Sequence, residues 1–367
     1  MTGVTGTGVV GTGEVVAAVG DLLASLEVYG ADGSWSEEAE RAACGRLADG
    51  GWLGVGLPEK LGGSGGSVAD AAAVTAACAA TGHRLPAADA GFIAGHVLEV
   101  AGLRTLTGPP APAGLPKPGE RPAPDGLLVP VPEAGVMTGG RVTVRGARVP
   151  FARWATGLLI VATGEGGARA CIVGAADAQI GPGRNLGGEP RDSVTVDGAR
   201  PADVSDSCGD LAAQLRRAGA LARAIQISAA ISQMLELTVR YCGQRQQFGR
   251  RLAQFQAVQQ QLALLAGEEL AARAAVQRAL ALTGPGSGWP AEPVAVAKVR
   301  TALAATAAAR IAHQLHGAIG ITTEYALSRY TRPAWAWREE YGSEHYWSGE
   351  LARESGPGLW ETLTSAG

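Results

Sequence analysis

Charge of either sign is sparse in this 367-residue chain, at 18% of residues, and neither sign prevails: 31 Lys and Arg face 34 Asp and Glu, a net charge of −3. With no basic surplus there is nothing to neutralise a phosphate backbone, which excludes nucleic acid as the main partner. Cysteine is scarce as well. Cys44, Cys78, Cys171, Cys208 and Cys242 stand far apart with no CxxC pair, which argues against a disulfide framework or a zinc site. Free, mostly buried thiols in a reducing compartment are expected instead. His313 and His316 are one helical turn apart but have no carboxylate or cysteine at ligand spacing, so no metal is expected. No apolar run reaches the length of a membrane span. The first basic residue is Arg41, so residues 1–13 lack the positive region of a secretory signal, and the expected location is the cytoplasm.

What the chain has instead is apolar, glycine-rich and mostly helical in period. Hydrophobic residues make up 46%, with 54 glycines and 20 prolines, enough to bury a large core. Residues 15–26 and 36–47 read as helices, the second opening on Ser36 with Glu38 and Glu40 near its positive end. Residues 50–66 read as a glycine-punctuated loop and 68–80 as a third helix. Prolines crowd 108–124 and mark a linker. Beyond it, 141–145 alternates around Val142 and Val144, 158–162 is a continuous apolar run, and 171–173 and 194–196 follow, the signature of a small β domain.

From Asp210 the helical period returns. Leu211, Leu215, Ala218, Ala222, Ile225 and Ala229 form one apolar stripe. Two further helices, 255–282 and 293–315, complete an antiparallel bundle. The expected fold class is mainly α with a central β domain: an N-terminal helical domain over 14–108, a β-barrel over 109–205 and a C-terminal bundle over 206–355. Flexible ends are expected at 1–13 and 356–367.

Two short stretches carry chemistry. In the first, Tyr241 leads through Arg245, Gln247, Phe248 and Gly249 to Phe255 and Gln256. An arginine beside a glycine turn and an aromatic can pair with a phosphate while the ring covers a flat heterocycle; the plain alternative is a solvated helix terminus. In the second, His313 to Gly320, glycines let backbone amides approach a ligand and Gln314 adds a carboxamide. Taken alone, that stretch also fits a helix C-cap.

Together with the segment from Trp52 through Pro58 and Glu59 to Gly65, these stretches resemble the acyl-CoA dehydrogenase family over most of the chain. The resemblance implies a helical N-terminal domain, a small β-barrel and a C-terminal four-helix bundle that bind FAD and an acyl-CoA thioester, assembled as dimers of dimers. The family's Arg-x-x-Phe-Gly motif falls on Arg245, Phe248 and Gly249, with Gln247 between them. By the resemblance these reach the pyrophosphate and adenosine side of a neighbouring subunit's FAD, and Phe255 and Gln256 match a second contact. Gln314, Gly317 and Ala318 match the Gln-x-x-Gly-Gly element, with Ala318 in place of the second glycine.

The chemistry that the resemblance implies needs a base for the α-proton while the flavin takes the β-hydride. The family's Glu-Gly-Thr base position falls on Tyr341, Gly342 and Ser343, which puts Ser343 with the cofactor-binding residues and a tyrosine in the base slot. A phenol with an ordinary pKa of roughly 10 is a poor base at neutral pH. Some relatives carry the base on the long helix, but Leu215 to Ala220 holds no carboxylate. Glu340, Tyr341 and Glu344 are therefore the catalytic candidates, with a solvated loop as the alternative for both glutamates. In the β domain the family's Thr-Glu-Pro-like flavin strand is replaced by Leu127 to Ala134, whereas the strands that follow match. Arg153 and Trp154 fit core or rim positions.

A missing base beside retained adenosine-side motifs resembles the partner subunits of two-component bacterial acyl-CoA dehydrogenases. The implied activity is FAD-dependent introduction of an α,β double bond into an acyl thioester, carried by CoA or a carrier protein. The chain would act alone as a homo-oligomer or in a heterotetramer with a base-bearing homologue, and would pass electrons to an acceptor flavoprotein. The alternatives are a subunit that only completes another chain's FAD site, and a scaffold turned to non-oxidative chemistry with Tyr341 as an acid. Trp335, Trp337, Trp347 and Trp360 can line an acyl pocket or seal packing, and Arg329, Arg332 and Arg338 can hold CoA phosphates or face water.

Overall fold

A computed structural model describes residues 12–26, 28–29, 35–59, 63–103, 127–282 and 288–355. The proline stretch 108–124, Trp360 and all but residues 12–13 of the two chain ends lie outside them. Helices open the chain. On α1 (Thr12–Ala24), Val15, Val19 and Leu23 recur every four residues and are buried where α1 packs on α3 (Val68–Ala80). Between them, α2 (Glu37–Asp49) starts where the Ser36 hydroxyl accepts the Ala39 N–H at 3.2 Å, with Glu37, Glu38 and Glu40 in its first turn. Ser67 and Asp70 form a capping box on α3. After it, Ala88–Ala94 is a π-helical stretch that runs into α4 (Gly95–Val100).

Eight strands follow: β1 (Leu128–Pro130), β2 (Gly135–Thr138), β3 (Arg141–Pro150), β4 (Gly157–Gly164), β5 (Gly167–Gly174), β6 (Gln179–Gly181), β7 (Arg191–Ala199) and β8 (Asp203–Val204). They make one sheet in the order β6-β7-β3-β2-β4-β5-β8, with β1 parallel to β4. The apolar run 158–162 lies in β4. Leu158, Ile160 and Ala162 enter the core shared with α1 and α3, while Leu159 and Val161 enter the core shared with the C-terminal helices. A strand covered on both faces has no polar alternation to show.

The C-terminal part is built on α5 (Leu211–Gln244), followed by α6 (Gln256–Ala281), α7 (Ala291–His316), α8 (Ser328–Trp337) and α9 (Glu344–Ser355). Residues 218–228 of α5 are buried on every side, so the apolar stripe widens there to the whole circumference. The cause is position: α5 packs on α3, the π-helical stretch, α6, α7 and α8. Buried alanines such as Ala218 and Ala222 on α5 and Ala304, Ala305 and Ala308 on α7 let the axes approach. Between α5 and α6 stands a hairpin of β9 (Gln246–Gln247) and β10 (Arg250–Arg251). No helix among the described residues is long and apolar enough to cross a membrane. The five cysteines are free, four of them buried.

Candidate functional site

The two motif-bearing stretches end at one end of the bundle. Arg245 caps α5: its N–H closes on the Tyr241 carbonyl at 2.8 Å, and its own carbonyl accepts the Leu252 N–H at 2.9 Å. The hairpin then turns on Phe248 and Gly249, whose φ angles are 50° and 78°. A two-residue hairpin loop needs positive φ at both positions, and asparagine or glycine is the usual first occupant. Phenylalanine there costs about 1–2 kcal/mol, yet Phe248 is 91% exposed. Its ring partner among the described residues is Phe255, edge-on at 6.3 Å, and the Arg250 guanidinium covers Phe255 at 4.0 Å. Arg245, Gln247 and Gln256 are exposed beside it.

On α7, Gln314 is exposed in the last turn, and Gly317 ends the helix at φ 64° and ψ −143°, a conformation open to glycine alone. Ala318 is exposed in the turn that follows. The ends of α5 and α7 meet through a ring stack, Tyr241 on His316 at 4.5 Å. Arg245 and Gln314 therefore belong to adjoining segments of one bundle end.

The segment around Tyr341 is arranged differently. Tyr341 adopts φ 56°, and its ring rests on α5 at Gly219, where a Cβ would come within 2.2 Å of it. Its hydroxyl is buried with no partner among the described residues, and burial pushes the phenol far above its ordinary value. Glu340, 14% exposed, is enclosed by cations. Arg191 reaches both of its oxygens, Nε at 2.8 Å and Nη2 at 3.0 Å, Arg223 Nε donates at 2.7 Å and Asn185 at 3.1 Å. Burial alone would raise its pKa, but the two guanidiniums hold it down to about 2. In the free chain Glu340 is thus the shared counter-ion of two arginines. Glu344 sits in the first turn of α9, and the Ser343 hydroxyl accepts the Tyr346 N–H at 3.4 Å, so both serve the start of that helix.

Sequence reasoning missed the rest of this network. Arg223 Nη2 donates to Asp89 at 2.7 Å and Nη1 to Gln226 at 2.8 Å, and Arg191 also pairs with Glu189 at 2.9 Å. Trp337 donates to Glu189 at 2.8 Å. Asp89 lies in the π-helical stretch, Asn185, Glu189 and Arg191 belong to the β domain, and Arg223 and Glu340 to the C-terminal part, so the network joins all three regions. The one signal in the sequence was an arginine inside an apolar stripe, a residue that is rarely buried without partners. Lys298 on α7 is also fully buried, donates to the Trp337 carbonyl at 2.6 Å, and is lowered by burial to about 7.

The remaining candidates have local duties. Arg153 pairs with Asp192, and Trp154 is buried. Arg329 stacks on Tyr29 at 3.9 Å, Arg332 donates to the Leu186 carbonyl and Arg338 to Thr306. Trp337 and Trp347 are buried in packing and Trp335 is exposed. Along 127–134, Val129, Pro130 and Val131 are buried, and Glu133 accepts the Ala147 N–H. Among the described residues no three His, Cys, Asp or Glu gather as a metal site.

Residues 212–354 match the family model for the acyl-CoA dehydrogenase C-terminal domain. The acyl-CoA dehydrogenase FadE27 of Mycobacterium tuberculosis is 29% identical over 316 residues, which cover 78% of this chain and 80% of that protein. A glutaryl-CoA dehydrogenase of Desulfococcus multivorans is 35% identical over 100 residues, a match spanning 27% of this chain and 26% of that protein. In fold, a chain of the ChsE4-ChsE5 complex from Mycobacterium tuberculosis superposes with a TM-score of 0.77 at 21% identity, covering 96% of this chain and 98% of that one. Residues 212–354 thus carry the acyl-CoA dehydrogenase C-terminal domain, within a chain whose fold is that of acyl-CoA dehydrogenases.

Proposed function

We propose that this chain is one subunit of a FAD-dependent acyl-CoA dehydrogenase assembly acting on an acyl thioester, and that it lends Arg245, Phe248 and Gln314 to the nucleotide end of FAD held with a base-bearing homologue. One observation carries this reading: Phe248 sits in a costly left-handed conformation at a hairpin tip and faces solvent, which supports a contact outside the chain as its role. The ChsE4-ChsE5 complex, similar in fold, is named as a complex of two components, which accords with a heteromer.

The residues fit the adenosine side of FAD. Arg245 offers an exposed guanidinium for a pyrophosphate, Phe248 an exposed ring for a flat base, Gln314 a carboxamide, and Gly317 a backbone without a Cβ in the way. Gln247, Phe255, Gln256 and Ala318 border that surface. FAD, when bound, supplies the acceptor for the hydride leaving the carbon β to the thioester. This chain's share is binding and orientation. The proton of the α carbon needs a carboxylate, and with Glu340 locked between arginines and Tyr341 held protonated, that base is assigned to the partner.

Co-purification tests the reading. The chain expressed with a homologue carrying glutamate at the base position is expected to yield a yellow complex bleached by a suitable acyl-CoA or acyl-carrier thioester. Arg245→Ala is expected to lower its flavin content without unfolding the chain. A complex that stays colourless with every adjacent homologue, or full flavin content in Arg245→Ala, would overturn it.

A further inference from the structure

What joins the ends of α5 and α7 is a packet of three rings, two half-buried tyrosines around a buried histidine. His316, the last residue of α7, is 3% exposed. One face stacks on Tyr241 at 4.5 Å and 24°, and Tyr325 lies 4.9 Å away, edge-on to Tyr241 at 6.1 Å. Both imidazole nitrogens are engaged. Nδ1 lies 2.8 Å from the Ala312 carbonyl, which can only accept, so Nδ1 carries the proton. Nε2 is then the acceptor, and the Tyr325 hydroxyl donates to it at 3.0 Å. Burial lowers the pKa of His316, which keeps the ring neutral and the tautomer fixed. The next turn wraps directly over it: a Cβ on Gly320 would come within 2.8 Å of the His316 Cβ.

A leucine would fill such a space without needing two hydrogen bonds. The orientation of this imidazole links two things instead. Tyr241 lies one turn before Arg245 and receives the N–H of Arg245 on its carbonyl, while the Arg245 carbonyl receives the Leu252 N–H at the far side of the hairpin. On the other side His316 is bonded to Gly317 and stands two residues after Gln314. Ring stack, helix turn and hairpin therefore form one continuous connection between the guanidinium and the carboxamide.

We infer that His316 is the positioning residue of the nucleotide-gripping surface: its stack on Tyr241 and its bond to Tyr325 hold the hairpin of Arg245 and Phe248 at a fixed spacing from Gln314, Gly317 and Ala318 before any ligand arrives. This rests on the function proposed above for what the surface grips, and adds that the grip is preformed within the free chain. A preformed surface loses less ordering entropy on binding.

Hydrogen exchange on the uncomplexed chain reads the link without flavin. His316→Leu keeps the bulk and removes both hydrogen bonds and the stack. It is expected to speed exchange about tenfold or more at the amides of Gln246–Arg251 and Gly317–Ile321, while 218–228 stays unchanged. Tyr325→Phe, which deletes one hydroxyl, is expected to act in the same direction more weakly, and it serves if His316→Leu fails to fold. Tyr241→Phe keeps the stack and is expected to leave exchange as it is. In the flavin-bearing complex, His316→Leu is expected to raise the FAD Kd about tenfold with the KM for the thioester unchanged. Unchanged exchange at the hairpin overturns the inference whatever the flavin does, as does faster exchange with an unchanged FAD Kd. A wild-type complex without flavin overturns the proposed function instead, and the ligand half of this inference with it.

Discussion

Tyr341 and Gly219 occupy each other's space: a Cβ on Gly219 would stand 2.2 Å from the Tyr341 ring. Glycine inside a long helix costs about 1 kcal/mol relative to alanine, and here the missing side chain is where the tyrosine lies. The segment that carries Tyr341 and the face of α5 opposite it are thus sealed together.

Gly219→Ala is expected to destabilise the chain by about 1–3 kcal/mol, since the ring must shift. Tyr341→Ala is expected to cost about 2–4 kcal/mol through the cavity it leaves. The double variant is expected to cost at least about 1 kcal/mol less than the sum, because the new methyl no longer meets a ring. Urea denaturation checks this, and strict additivity would contradict the contact. Tyr341→Phe, which removes a buried hydroxyl without a partner among the described residues, is expected to be neutral or stabilising by up to about 1 kcal/mol.

Glu340→Gln is a test of structure rather than of catalysis. It leaves Arg191 and Arg223 short of a shared anion, and the expected loss is about 3–5 kcal/mol. Its signature is the acid limb of the stability curve. The folded chain holds this carboxyl at about 2 against an ordinary 4.5, so the unfolded chain takes up the proton first and stability falls as pH drops through that window. Unfolding followed from pH 5 to pH 2 is expected to show this slope in the wild type and a shallower one in the variant.

The grouping of Arg245, Phe248 and Gly249, and of Gln314 and Gly317, was legible because each set falls within one short stretch, and short-range patterns survive in a linear reading. The same holds for β4, whose burial on both faces leaves an unbroken apolar run. The ion network was not legible, since Arg223 meets partners 134 and 117 residues away at Asp89 and Glu340, and only the packing of three regions brings them together. α8 was hidden by Pro333, which reads as a breaker. It is accommodated there against Gly187, where a Cβ would come within 2.9 Å of the proline.

Glu40 has the opposite pH dependence. It is fully buried, accepts the Trp35 indole N–H at 2.9 Å and the Arg84 backbone N–H, and burial raises its carboxyl from 4.5 to about 7. Between those values the folded chain binds the proton more strongly than the unfolded one, so this residue's contribution is full below about 4.5 and is lost as pH rises through about 7. Glu40→Gln is expected to flatten the stability profile over that window, measured as Tm against pH. An unchanged profile would mean that the carboxylate is already charged in the fold.

Phe248→Asn separates the cost of the hairpin tip from its return. Asparagine followed by glycine is the favoured pair for this turn, and replacing a left-handed phenylalanine, 91% exposed, removes strain without removing core. The free chain is therefore expected to keep its Tm or gain stability by up to about 1 kcal/mol. In the complex the same substitution deletes the ring offered to the flat base, and base–ring stacking of this kind carries about 1–3 kcal/mol. The FAD Kd is expected to rise accordingly, by roughly five- to a hundredfold, and retained flavin to fall. Stability and affinity moving in opposite directions would identify Phe248 as a residue held in strain for a partner. A parallel loss of both would make it an ordinary part of the hairpin.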